Sequence, residues 1–263
     1  MTAGAQGQVG QDPAGPVVLH IDGSVAVLTL ARPAVLNAID AEVCDALVRH
    51  VEYLERDGQV RVLVIAGEGD RAFSAGADLK HMRGLAGAGL RRFIEHTWFC
   101  FERLSRSPII SIAALHGYVL GGGLELALAC DLRVAEDGAV IGLPEMTLGS
   151  VPGSGAMQRL PVLIGPSRTL ELATSGMRLD AAQALEWGLI NRAVPAGAAR
   201  TQAFAWARRI AERPAQALRY AKAAIRVRDD PVLAAALHGL VSDSCHSEKK
   251  YQDNTDRFRH SGP

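Results

Sequence analysis

Ile109-Ile110-Ser111-Ile112-Ala113-Ala114 leads, a few residues on, into Gly121-Gly122-Gly123-Leu124-Glu125-Leu126-Ala127-Leu128-Ala129-Cys130. The first run is apolar except for Ser111 and carries three β-branched isoleucines, so it reads as a buried strand. The second opens on three glycines and continues as a short apolar helix. A strand, a glycine turn and a helix in that order form the repeating unit of an α/β core. Upstream, Arg61 to Ala66 is another buried strand that runs into a glycine-rich loop from Gly67 to Asp78. Leu90, Phe93, Ile94, Trp98, Phe101 and Leu104 mark one face of a long helix between the two. Leu132 to Val134 and Ala139 to Ile141 are brief strands on the downstream side.

Nearer the start, Val17 to Ile21 and Val25 to Ala31 are split by Asp22-Gly23, a hairpin signal. Asp40 stands as an N-cap before Val43, Leu47, Val51 and Leu54, which recur at helical spacing. Beyond Gly142 the pattern turns mostly helical. Asp180 with Gln183 has the form of a capping box, Gly188 is placed to end that helix, and Val194 marks a last short strand. Helical patterns then occupy Gly197 to Arg213, Pro214 to Arg226 and Pro231 to about Arg257. The expected organisation is a disordered lead over 1–16, an α/β core over 17–195 and a helical region over 196–263.

The chain has 263 residues, enough for a buried core. Lys plus Arg number 28 and so do Asp plus Glu, so no basic footprint for nucleic acid exists. The longest apolar stretch, Pro108 to Cys130, carries Ser111, His116 and Glu125 and is poorly suited to a bilayer. Met1 to Pro16 has neither the charged nor the apolar region of a signal peptide, which points to a cytoplasmic protein. Cys44, Cys100, Cys130 and Cys245 form no Cys-x-x-Cys pair, and free thiols in a reducing compartment are expected. The histidines include no His-Glu-x-x-His, so no metal site is expected.

Chemistry gathers at two loops and two carboxylates. Ala72-Phe73-Ser74-Ala75-Gly76-Ala77-Asp78 is built of small residues that let backbone N–H groups approach a ligand. Gly121-Gly122-Gly123 opens a helix whose first N–H groups lack internal partners and favour negative charge. Such a site can stabilise an oxyanion developing on a carbonyl. It is not a dinucleotide fingerprint, because the Gly-x-Gly-x-x-Gly spacing is missing. Glu125 lies in the first helical turn among apolar residues, and Glu145 lies in Leu143-Pro144-Glu145-Met146. A helix-start glutamate is usually a simple dipole partner, but two carboxyls in apolar settings beside an oxyanion site suit acid–base work at carbon.

Phe73-Ser74-Ala75-Gly76-Ala77-Asp78-Leu79, His116-Gly117-Tyr118-Val119-Leu120-Gly121-Gly122-Gly123-Leu124-Glu125-Leu126-Ala127, Pro144-Glu145 and Leu148-Gly149-Ser150-Val151-Pro152-Gly153 together resemble the crotonase (enoyl-CoA hydratase/isomerase) superfamily. Arg32-Pro33 through Asn37-Ala38, Gln158-Arg159-Leu160 and Gly188-Leu189-Ile190-Asn191 add to the resemblance, which covers residues 17 to 225. It implies a spiral of ββα turns with a helical C-terminal region that makes trimer contacts, in a homotrimer or dimer of trimers. It also implies an oxyanion hole from the N–H groups of Ala77 and Gly122, acid–base roles for Glu125 and Glu145, and a site shaped by Gly153. The coenzyme A moiety, part of the acyl-CoA thioester substrate rather than a separate cofactor, would lie against Ala75, Ala77, Asp78, Leu79 and Lys80.

Three departures bear on substrate choice. Ala34-Val35-Leu36 lacks a lysine often found there, Ser154-Gly155-Ala156-Met157 stands where a further glycine and threonine are frequent, and Ser244 to Tyr251 replaces a usual acidic-Arg-Glu-Gly stretch. The resemblance implies an enoyl-CoA hydratase that adds water reversibly, in the syn sense, across the 2,3 double bond of a 2-enoyl-CoA. Other readings remain open: an enoyl-CoA isomerase or other crotonase-family acyl-CoA enzyme, a serine hydrolase built on Ser74 with Asp131 and His238, and a non-catalytic acyl-CoA binder.

Overall fold

The computed structural model describes residues 8–9, 15–85, 87–227, 230–247, 253 and 255. Strand β1 (Gln8–Val9) pairs antiparallel with β2 (Val17–Asp22), which turns back into β3 (Val25–Leu30) through the expected hairpin. The pairing of β1 departs from the expectation of a structureless lead over 1–16. The outer edge of β2 offers backbone groups that the Gln8 and Val9 main chain can pair with, without any apolar pattern in the sequence. The rest of 1–14 lies outside the described residues.

Helix α1 (Ala41–Asp57) begins where Asp40 accepts a 3.0 Å hydrogen bond from the Val43 N–H, and it buries Val43, Leu47, Val51 and Leu54. Three β-β-α turns follow. The first is β4 (Val62–Gly67), β5 (Ala72–Ser74), the short α2 (Leu79–Arg83) and α3 (Ala88–Arg106). The second is β6 (Ile110–Leu115), β7 (Tyr118–Leu120) and α4 (Gly122–Ala129). The third is β8 (Leu132–Glu136), β9 (Val140–Gly142) and α5 (Ala156–Ser175). After them come β10 (Arg178–Leu179), α6 (Ala181–Glu186), β11 (Arg192–Val194), α7 (Ala199–Ala211), α8 (Ala215–Arg226) and α9 (Pro231–Ser247).

Each turn sends one strand to a large sheet and the next to a small one. The large sheet has the order β1-β2-β3-β4-β6-β8-β11, parallel from β3 onward, and the small sheet has the order β10-β9-β7-β5. This is the expected spiral of ββα turns. The main core lies between the two sheets and helices α1, α3 and α4, with Phe73, Phe101, Leu63 and Ile65 fully buried. A second core lies on the opposite face of the large sheet. There Ala199, Ala203, Ala207 and Ala211, spaced at i, i+4, let α7 pack closely on Val62, Val64 and Ile112. So α7, beyond residue 195, packs on the core sheet.

The expected face of α3 is rotated in detail. Phe93, Thr97, Cys100, Phe101 and Leu104 are buried, while Leu90, Ile94 and Trp98 are half-buried. Thr97 can face the core because its hydroxyl donates to the Phe93 carbonyl at 2.9 Å. The Asp180–Gln183 capping box is formed on both sides, and Gly188 has the left-handed φ of +78° that ends the turn. Helix α9 ends its continuous described span at Ser247, and the side chains of Leu240 and Cys245 lie outside the described residues. Cys44, Cys100 and Cys130 are buried free thiols. Among the described residues no helix is long and apolar enough to cross a membrane, and no cluster of His, Cys, Asp or Glu is arranged to hold a metal.

Candidate active site

The loop from β5 to α2 is held from one side by the segment after β3. The Ala75 N–H donates to the Leu36 carbonyl at 2.9 Å, the Ile39 N–H to Gly76 at 2.8 Å, and the Asp78 N–H to Ile39 at 2.8 Å. Asn37, at φ +54°, anchors this segment by donating to the Ala72 and Glu68 carbonyls at 2.8 and 3.0 Å. Arg32 ties the same segment to the loop, donating to the Ala38 carbonyl at 2.6 Å and pairing with Asp40 at 2.9 Å and Asp78 at 3.2 Å. Ala77 lies between these bonds as an isolated bridge partner of Ile39. Its own N–H donates to no acceptor among the described residues.

The three glycines opening α4 each meet a different neighbour. A Cβ on Gly121, whose φ is +52°, would lie 2.7 Å from Glu145 Oε1. One on Gly122 would lie 3.3 Å from the Ala77 nitrogen, and one on Gly123 would strike the Ser74 carbonyl. Gly76 completes the approach, since its Cβ would stand 2.7 Å from the Leu120 oxygen and 3.1 Å from the Gly122 nitrogen. The glycines thus bring the Ala77 and Gly122 amides of separate loops side by side. Like that of Ala77, the Gly122 N–H has no acceptor among the described residues. Two adjacent donors without acceptors among the described residues, one at a helix N-terminus, are what stabilising an oxyanion requires.

Glu125 is 3% exposed, and its Oε1 accepts from the Ser154 N–H at 2.7 Å and the Ala156 N–H at 3.1 Å. Its carboxylate therefore caps α5, not its own helix. Burial raises its pKa, and the Ala156 and Ser154 amides and the Arg159 charge oppose that rise. Glu145 opens a 3-10 turn (Glu145–Leu148), and its buried Oε2 has no partner among the described residues. Burial, helped by repulsion from Glu125, pushes Glu145 up to about 7. Two amides from the next loop favour the charge on Glu125, while only the backbone N–H of Glu145 itself opposes the burial of the other carboxyl. That asymmetry suits a base and an acid acting together.

The other expected site residues fall around this centre. Gly153 precedes the amides that hold Glu125, and its Cβ would stand 2.9 Å from Ile94 Cγ2. Asp78 caps α2 by accepting from the Lys80 and His81 N–H groups at 3.0 and 3.1 Å. Ala75 is half-buried, Lys80 is exposed and Leu79 is 54% exposed. The Ser74, Asp131 and His238 set is not brought together. Ser74 is fully buried and accepts from the Gly76 N–H, Asp131 binds Lys222 and Ser111, and His238 meets Tyr220 and Ser242. Sequence reasoning missed the amides of Ser154 and Ala156 as ligands of Glu125. The glycines flanking Ser154 were the available signal.

A ββα spiral with two adjacent amides and two buried carboxyls in unlike surroundings is the arrangement of the crotonase fold. The chain belongs to the enoyl-CoA hydratase/isomerase family, whose profile matches residues 20–258, and it is an enzyme of the enoyl-CoA hydratase kind. It is 37% identical over 227 residues to the probable mitochondrial enoyl-CoA hydratase 2 of Arabidopsis thaliana, covering 86% of this chain and 75% of that one. It matches an enoyl-CoA hydratase structure from Geobacillus kaustophilus with a TM-score of 0.90 at 28% identity, covering 98% of each chain. It also matches a putative enoyl-CoA hydratase from Thermobifida fusca, solved in complex with acetoacetyl-CoA, with a TM-score of 0.79 at 32% identity. That alignment covers 88% of this chain and 94% of the other.

Proposed function

We propose that this enzyme catalyses the reversible syn addition of water across the 2,3 double bond of a 2-enoyl-CoA thioester. The observation that carries the reading is the pairing of Glu125 and Glu145, in unlike environments, with two free amides. The Glu125 carboxylate takes a proton from water as the water oxygen bonds to C3. The electron pair of the double bond moves toward the thioester oxygen, where the Ala77 and Gly122 amides hold the enolate charge. The Glu145 carboxyl then gives its proton to C2. The backbone of Ala75 to Leu79 and the Lys80 ammonium would hold the coenzyme A portion, with Gly153 leaving room for water. The neighbour solved with acetoacetyl-CoA supports an acyl-CoA ligand.

The reading includes a homotrimer or dimer of trimers, with α9 crossing the subunit boundary. In the single chain Val232 is 79% and Leu233 50% exposed, and such a face calls for a partner. A stable, active monomer in sedimentation would contradict this. Three buried free thiols fit a reducing compartment, and we read the protein as cytoplasmic.

The test of the reaction is product analysis. Incubating a panel of 2-enoyl-CoA thioesters in ¹⁸O-water should give 3-hydroxyacyl-CoA with the label at C3. Migration of the double bond without uptake of oxygen would replace the hydratase reading with an isomerase.

A further inference from the structure

Arg159 joins the loop that holds Glu125 to helix α3. Its Nη1 donates to the Ser154 carbonyl at 3.2 Å, and its Nη2 donates to Glu102 Oε2 at 2.8 Å. The guanidinium also lies over the Trp98 ring, 5.7 Å from its centroid. Its side chain is 15% exposed. Gly155, at φ +115°, makes this reach possible, because a Cβ there would fall on Nη1 itself. The residue whose carbonyl Arg159 grips is the one whose N–H binds Glu125 at 2.7 Å.

We propose that Arg159 is a positioning residue for Glu125, acting through the backbone of Ser154, whose carbonyl it holds, and through its own charge. The proposal rests on the hydratase reading for its kinetic consequence, but not for its geometry. A planar fork can grip a carbonyl and a carboxylate at once, whereas an ammonium is a single point charge. If Arg159 lets go, the Ser154 and Ala156 amides lose their fixed aim, and the base loses orientation relative to the bound water.

The charges around the pair are these. Glu145 faces Glu125 from the 3-10 turn and repels it, and Arg159 opposes the burial that raises the Glu125 pKa. Glu102 of α3 is shared between Arg159 and Arg106, and Arg226 of α8 adds a further positive charge there. Removing the Arg159 charge should therefore let Glu125 hold its proton to higher pH, an effect that loss of packing alone does not require.

The experiment compares wild type, Arg159→Met and Arg159→Lys by two readouts. One is the pH dependence of hydration of a short 2-enoyl-CoA. The other is the NMR titration of the Glu125 carboxyl carbon in labelled protein, which needs no turnover. Arg159→Met should lower kcat roughly 10-fold or more, with KM changing little. It should also move the Glu125 titration, and the acid limb of kcat/KM, upward by roughly half a pH unit or more. Arg159→Lys should restore the limb while recovering only part of kcat. A wild type that does not hydrate would remove the hydratase reading and leave the titration to judge Arg159. A folded Arg159→Met variant whose Glu125 titrates as in wild type would overturn the proposal. If Arg159→Met does not fold, Arg159→Lys and Glu102→Gln decide: reduced kcat in both supports the clamp, and wild-type kinetics in both overturns it.

Discussion

The carboxylate of Glu145 stands where Gly121 has no side chain, with its Oε1 2.7 Å from the position a Cβ would take. The glycine at the mouth of α4 thus makes room for the group assigned as the proton donor. Gly121 also has φ +52° and ψ −123°, a conformation unfavourable for residues with a Cβ. Gly121→Ala should displace Glu145 and lower hydration by about 10²-fold, the scale of losing one general acid. The Gly121 N–H is already bonded to the Gly142 carbonyl at 3.0 Å, so the loss reports on Glu145 and not on the oxyanion donors. Turnover of the folded variant, checked by circular dichroism, measures it.

Gly122→Pro probes the oxyanion site. Proline is tolerated at the first position of a helix, where its missing N–H has no internal partner. The folded variant loses one donor and also crowds the Ala77 nitrogen, which a Cβ here would approach to 3.3 Å, so kcat should fall by roughly 10²–10³ or more. Near-normal turnover by the folded variant would remove Gly122 from the assignment.

The two carboxyls set a bell-shaped pH dependence. Hydration needs Glu125 ionised and Glu145 protonated, so activity falls as pH drops through the first pKa and as it rises through the second. The alkaline limb of kcat/KM should lie at about 7, where burial and repulsion from Glu125 place Glu145. The acid limb should lie above the ordinary carboxylate range, since burial also raises Glu125. Because the groups repel, the two limbs belong to the pair. A flat profile from pH 6 to 9 would contradict the assignment of Glu145.

The same shift has a consequence for stability. The folded pKa of Glu145 is raised above its unfolded value, so its contribution is fully present below the ordinary carboxylate pKa and is lost as pH rises through about 7. Above that pH the wild type holds a charge whose buried Oε2 has no partner among the described residues. Glu145→Gln should therefore be more stable than wild type at pH 8, by roughly 1–2 kcal/mol after solvent screening, and gain much less at pH 5. Thermal melts of both proteins at the two pH values measure the difference. Equal gaps at both would contradict the titration.

Much of this was legible in the chain because the signals were local. Asp40, the Asp180–Gln183 box and the Asp22-Gly23 turn act within a few residues, and the structure forms all three. The three glycines and Glu125 are adjacent, so their conjunction could be read before the fold was known. What escaped was short or non-local. Strands β5, β7 and β10 span two or three residues, too few to show an alternation. Thr97 faces the core because of one hydrogen bond to Phe93, which an apolar periodicity does not register. Ser154 and Ala156 reach Glu125 across about thirty positions of chain through backbone amides, which carry no side-chain signature. Arg159 was visible only as part of Gln158-Arg159-Leu160, and its link to Ser154 and Glu102 depends on α5 meeting α3.

The central claim, that water is added by two carboxyls acting in one transition state, is tested most directly by the rate of hydration of a short 2-enoyl-CoA. The rate is read as loss of the conjugated absorbance for wild type, Glu125→Gln, Glu145→Gln and the double variant. Each single change keeps the size of the side chain and removes proton transfer, so each should lower the rate by roughly 10²–10⁴. The double variant should fall by less than the product of the two, because both groups serve the same step. Hydration left intact by Glu125→Gln, or a wild type that converts only the 3-enoyl isomer, would contradict the account.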